Sequence, residues 1–155
     1  MKIRMLVLFL SCAAFHLHGQ DVSKAREHLN VEDNLAIQGY DPVAYFEIGE
    51  AKKGKKDIIA VHSGITYRFA NSQHMTLFLQ NPEKYLPKYG GWCAYAMGAD
   101  GSKVRIDPKT FKIIEGELYL FYNFYFNNTL KAWDKDESKL HTSAEANWNR
   151  LIGNN

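Results

Sequence analysis

The sequence predicts an α+β fold, and three observations carry that prediction. Two pairs of β-rich runs are each closed by a short glycine-containing turn, a segment of helical period follows the first pair, and the C-terminal stretch is helical in period. At 155 residues, with 14% aromatic side chains, the chain can bury one real core but has little room for two.

The first twenty residues read as an export signal. Lys2 and Arg4 precede the apolar run Met5 to Phe15, and His16 to Gly19 break it. That run is about half the ~20 residues a membrane span needs, so a cleaved signal is expected over 1–20, with cleavage near Gly19 or Gln20. A rival reading takes Leu10-Ser11-Cys12 as a degenerate lipoprotein box, with Cys12 acylated and the chain tethered to a membrane. Otherwise the protein is expected to be periplasmic or secreted.

Without Lys2 and Arg4 the 19 basic residues become 17, against 17 acidic. No basic excess remains to attract nucleic acid. The densest basic run, Lys52, Lys53, Lys55 and Lys56, is expected to be a solvated loop. Loss of Cys12 leaves Cys93 alone, so no internal disulfide can form. A lone thiol in an oxidising compartment is buried and inert, used in metal or redox chemistry, or paired with another molecule.

Residues 21–33 form a polar lead-in that is expected to be a short helix. Asp41-Pro42 suits a turn that opens one helical turn through Tyr45 and Phe46, and Asp41 is expected to cap or close it. Gly49 to Lys56 reads as a loop. Asp57–His62 and Ile65–Phe69, joined by Ser63-Gly64, read as a hairpin. Asn71 or Ser72 can then cap a helix whose apolar positions are Met75, Phe78 and Leu79, and which Asn81-Pro82 ends. Trp92 to Met97 reads as a buried strand or a tightly packed turn. Phe111–Ile114 and Leu118–Tyr122 around Glu115-Gly116-Glu117 form a second hairpin. From Asn123 onward the chain is expected to be helical, with Leu130, Trp133, Ala144, Trp148 and Ile152 at helical spacing.

Four segments occur in a telling order: Gly39-Tyr40-Asp41-Pro42-Val43-Ala44-Tyr45-Phe46, His62-Ser63-Gly64-Ile65-Thr66-Tyr67-Arg68-Phe69, Asn81-Pro82-Glu83-Lys84-Tyr85 and Gly90-Gly91-Trp92-Cys93-Ala94-Tyr95-Ala96. Together they resemble the exported branch of the YHS-domain family, over most of the chain from Asn34. The resemblance implies a YHS-like domain over 34–155 with two β-hairpins, a short central helix and a C-terminal helical extension. Metal-handling members carry cysteines where this chain has Ala44, Ala70 and His74, so a thiolate cage is not implied. Some exported members carry selenocysteine at the position matching Cys93, which suits a reactive nucleophile or a soft metal ligand.

Three functional classes follow. The leading one is a binding module in which Cys93, His74 and His62 hold copper or zinc, or bind a small ligand. The second is a thiol redox protein that uses Cys93, although there is no Cys-x-x-Cys and no resolving cysteine. The third is a non-catalytic interaction domain that uses Tyr122, Phe124, Tyr125 and Phe126, residues otherwise expected to pack at the hairpin-to-helix junction. Cys93 has a plain alternative as a core residue, and His74 and His62 as surface histidines. Tyr40 and Tyr67 are expected to pack their rings while their hydroxyls find buried partners. No phosphate loop, nucleophile elbow or His-Glu-x-x-His motif is present, so catalysis is not assigned.

Overall fold

The computed structural model describes residues 27–153. The export-signal reading of 1–20, Cys12 and the first part of the lead-in lie outside the described residues. Helices and small sheets are mixed, as an α+β fold requires.

The described part of the lead-in, from residue 27, is turn and strand where a helix is expected. Val31–Glu32 (β1) and Leu35–Ala36 (β2) pair antiparallel across Asp33-Asn34, whose φ values of 50° and 61° make a tight left-handed turn. Aspartate and asparagine tolerate that region better than other side chains. Ile59–His62 (β3) and Ile65–Arg68 (β4) form the first expected hairpin, closed by Ser63-Gly64 at φ 50° and 75°. The four strands make one sheet in the order β1-β2-β4-β3, with β2 and β4 parallel at Leu35 and Thr66.

Ala44–Glu47 (α1) is the helical turn after Pro42. Ser72–Gln80 (α2) is capped by Asn71, whose side chain accepts from His74 N at 2.8 Å. Leu79, expected on its buried face, is exposed, and His74 is buried instead. Short 3-10 turns over Pro82–Tyr85 and Lys88–Gly91 lead to Ala94–Ala99 (α3), where a strand or turn was expected. The alternation of small and large residues there is a helix–helix contact. Ala94, Met97 and Gly98 are buried, and a Cβ at Gly98 would collide with the Leu140 carbonyl of the last helix.

Asp107–Ile114 (β5) and Glu117–Phe121 (β6) form the second expected hairpin. A further small hairpin, Asn123–Phe124 (β7) and Asn127–Asn128 (β8), interrupts the expected helical run before Thr129–Trp133 (α4) and Glu137–Ile152 (α5). Strand β6 organises the interior because both of its faces are covered. Leu118 and Leu120 belong to a core cluster with Val43, Tyr45, Phe69 and Phe78, and the alternate residues Tyr119 and Phe121 belong to a second cluster with Met97, Trp133 and Ala144. An apolar run with no polar alternation is what a strand buried on both sides requires.

Replacing Gly98 by alanine forces the α3 and α5 backbones apart. The G98A variant is expected to lose about 1–3 kcal/mol of stability in urea unfolding, the usual cost of overpacking, whereas Gly116→Ala, in open space, strains only its own turn.

Candidate functional site

Asp41 is fully buried, and all four of its acceptor positions are used. Oδ1 accepts from the amides of Val43 at 2.9 Å and Ala44 at 3.3 Å, which caps α1 as expected. Oδ2 accepts from Ala70 N at 2.8 Å and from His74 Nδ1 at 2.6 Å. One carboxylate thus ties α1, the end of β4 and the first turn of α2 together. His74 is a buried partner of this carboxylate, which corrects its reading as a surface residue.

Cys93 is also fully buried, at the N-cap of α3. Its sulfur accepts from Tyr122 N and lies 3.4 Å from Thr129 Oγ1. The Thr129 hydroxyl already donates to Tyr122 O at 3.0 Å, so its oxygen is left to accept from the thiol S–H. This hydrogen bonding is complete for the protonated thiol, whereas metal ligation and redox attack both need the thiolate. No hydrogen bond links Cys93 to His74 or His62. Among the described residues no group of three or more His, Cys, Asp or Glu side chains is placed to hold a metal ion. The residues proposed from sequence as one Cys/His set therefore have separate partners: Thr129 and Tyr122 for Cys93, Asp41 for His74 and Glu83 for His62.

His62 lies beside a different feature. A cavity of about 260 Å³ is walled by Leu29, Val31, Ile37, Ile65, Tyr67 and Leu86, with His62 and Glu83 among its lining residues. This volume is just below the ~300–1,000 Å³ of common ligand pockets, which suits a small occupant. Strand β4 delivers Ile65 and Tyr67 from one face, both buried, as period 2 dictates. The facing wall comes from the lead-in, which is strapped down: Asn30 N donates to Gly90 O at 2.8 Å, Asn30 Nδ2 to Gly91 O at 2.9 Å, and Trp92 Nε1 to His28 O at 2.6 Å.

Two polar groups of the cavity lining are available to an occupant. His62 Nε2 lies 3.0 Å from Glu83 Oε1, and Glu83 is largely exposed, so this pair is worth at most about 1 kcal/mol and is easily exchanged. The Tyr67 ring packs on Phe78, with centroids 4.8 Å apart, but its hydroxyl makes no hydrogen bond to any described residue. Burial, with a smaller contribution from the Glu83 charge, pushes its pKa up to about 12, so it stays a neutral donor. The buried partner expected for this hydroxyl is not found among the described residues, and Tyr67 lines the cavity.

The cavity wall also carries strained backbone. Ile37, Ser63, Gly90 and Gly91 all line it with positive φ, and Ile37 at 48° is β-branched. A left-handed β-branched residue costs roughly 1–2 kcal/mol and persists only where its surroundings hold it. Here Gln38 Nε2 donates to Ile106 O at 3.1 Å, Lys53 Nζ donates to Gln38 O at 2.7 Å, and Tyr40 N donates to Ile37 O at 2.9 Å.

Sequence reasoning reached His62 and Tyr67 but missed Ile37, Leu29 and Val31. The Asp33-Asn34 turn signal between two apolar pairs could have placed the lead-in against the sheet. No protein-family model, curated protein or solved structure matches the chain.

Asparagine at position 41 would offer two acceptor sites to four donors. Asp41→Asn is expected to lower stability by about 3–5 kcal/mol in denaturant unfolding, the scale for breaking a buried charged network. Cys93 is expected to resist iodoacetamide in the native protein and to be alkylated only in urea, as read by mass spectrometry of its peptide. Rapid native labelling would contradict the sealed thiol.

Proposed function

We propose that this chain is an exported, YHS-like binding module that takes a small ligand with an apolar body and one hydrogen-bonding end. The apolar part occupies the cavity between β4 and the lead-in strap, and the polar end meets the Tyr67 hydroxyl and the His62 imidazole. The single observation that carries this reading is the Tyr67 hydroxyl, without a hydrogen-bond partner among the described residues, on a cavity walled mainly by hydrocarbon, with Asn30, His62, Ser63 and Glu83 also in its lining. A donor with no protein acceptor gains most from a ligand acceptor, because the hydrogen bond it forms replaces none within the fold. The weak His62–Glu83 pair adds a second group that a ligand can recruit at little cost.

Transition-metal binding through Cys93, His74 and His62 has less support, because each already has a hydrogen-bond partner elsewhere. Thiol redox chemistry needs an accessible thiolate, and Cys93 is fully buried with its hydrogen bonds met as a thiol. Ligand capture needs neither condition. No catalytic step is assigned to the pocket.

Calorimetric titration with benzyl alcohol, benzoate and benzylamine tests the reading, since the three share a ring and differ in the polar end. Tyr67→Phe is expected to keep stability within about 0.5 kcal/mol while weakening the best of the three by roughly five- to tenfold, the worth of one hydrogen bond. Leu86→Trp, which fills the cavity, is expected to abolish binding of all three. Absence of binding by every probe, or binding indifferent to both substitutions, would overturn the proposal.

A further inference from the structure

The turn between β7 and β8 consists of Tyr125 and Phe126 alone, since Phe124 pairs with Asn127 and Asn123 with Asn128. Both turn residues have positive φ, 51° and 64°. A two-residue turn of this type prefers Asn-Gly, and an L side chain there costs roughly 1–2 kcal/mol per residue. Both rings are nonetheless in water: Tyr125 is 84% exposed and Phe126 fully so. Their expected role in core packing is thus corrected, while Tyr122 and Phe124 are half-buried and meet edge to face, with centroids 5.1 Å apart, at the base of the tip. Two large rings held in an unfavourable backbone conformation and aimed at solvent contribute nothing to the fold.

The charge around the tip is basic. The Arg105 guanidinium lies over the Phe124 ring at 4.6 Å. Lys131 follows in α4, which begins directly after β8, and Lys109 adjoins Thr110, whose hydroxyl accepts from Asn123 Nδ2 at 3.0 Å. All three cations are exposed, and none has an ion-pair partner among the described residues. Between Pro108 and Lys131 the acidic residues, Glu115 and Glu117, lie at the β5–β6 turn. Of the carboxylates next to these cations in sequence, Asp107 is engaged by Lys109 N and by the Thr110 hydroxyl, and Asp134 pairs with Lys112.

Size separates the candidate occupants. Two aromatic side chains bury about 300–500 Å² at most, below the ~600–1,000 Å² that each partner gives to a stable protein interface. The other large exposed apolar residues among the described ones are Ile48 at the end of α1, Ile59 and Val61 on β3, and Leu79 on α2, none of them in the β7–β8 hairpin. Partition into a bilayer interface needs no complementary surface, and exposed aromatic side chains on a hairpin flanked by cations without an ion-pair partner among the described residues match an anionic headgroup layer. We infer that the Tyr125-Phe126 tip docks the protein on anionic lipid surfaces, with the two rings entering the interface and Arg105, Lys109 and Lys131 facing the headgroups. This role is independent of the pocket.

Co-sedimentation of the full chain with phosphatidylcholine vesicles, with and without phosphatidylglycerol, tests it. Parent and variants share the same N-terminus, so any difference reads the tip. The double variant Tyr125→Asn/Phe126→Gly is expected to partition at least about tenfold more weakly, while its melting temperature rises because the turn strain is relieved. Arg105→Gln with Lys131→Gln is expected to weaken binding only to the phosphatidylglycerol vesicles, and added salt to do the same to the parent. Equal partitioning of parent and tip variant, or no partitioning by either, overturns the inference. A tip variant that changes self-association in sedimentation velocity but leaves vesicle binding unaltered overturns it in favour of a protein contact.

Discussion

The Asp41 carboxylate is the constraint on which the arrangement rests. It accepts four hydrogen bonds with no exposure to water, and its donors come from three separate elements. Such a group is costly to bury unless every acceptor position is filled. Filling them sets how the segment after Gly39 approaches the end of β4 and the start of α2. The left-handed Ile37–Gly39 turn lies immediately upstream, so the same network positions one wall of the cavity. His74 belongs to this network by geometry.

Strain and vacancy occur together around the cavity. Positive-φ residues reach its lining from three places in the chain: the Ile37 turn, the Ser63-Gly64 turn and the Tyr89-Gly90-Gly91 segment. The last of these needs glycine for space as well as conformation, because a Cβ on Gly90 would meet Trp148 at 2.8 Å. Tight turns on several sides make a wall that cannot easily collapse, and a wall that cannot collapse keeps a cavity open. Cys93 illustrates the opposite outcome. Its surroundings close on the sulfur and meet its hydrogen bonds with Thr129 and Tyr122, so its chemistry is muted where a reactive site would leave it unmet.

The hairpins at Ser63-Gly64 and Glu115-Gly116, the Asp41-Pro42 turn and the Asn71 cap were all legible, because each is a local conformational preference written in two or three residues. The α+β class followed from them. Elements set by distant partners were not legible. Trp92 to Met97 alternates small and large residues in a way that suits a strand, and only the close approach of α5 explains it as a helix. Asn123 to Asn128 carries no glycine at its turn, so β7 and β8 were hidden within an expected helical run. At the site, His62 and Tyr67 were visible through the segment that carries them. Partner choice was not, since the pairing of His74 with Asp41 spans 33 residues and that of Cys93 with Thr129 spans 36.

The cavity lining joins the first long hairpin, through His62, Ser63, Ile65 and Tyr67, to Glu83 and to Gly90-Gly91. Amide chemical-shift mapping with benzyl alcohol decides most directly whether that cavity is where the protein meets its ligand. The account predicts shifts clustered at Val31, Ile37, His62, Ser63, Ile65, Gly90 and Gly91, with the Cys93 and Thr129 amides unmoved. Shifts centred on Cys93 and His74, or none at saturating probe, would contradict it.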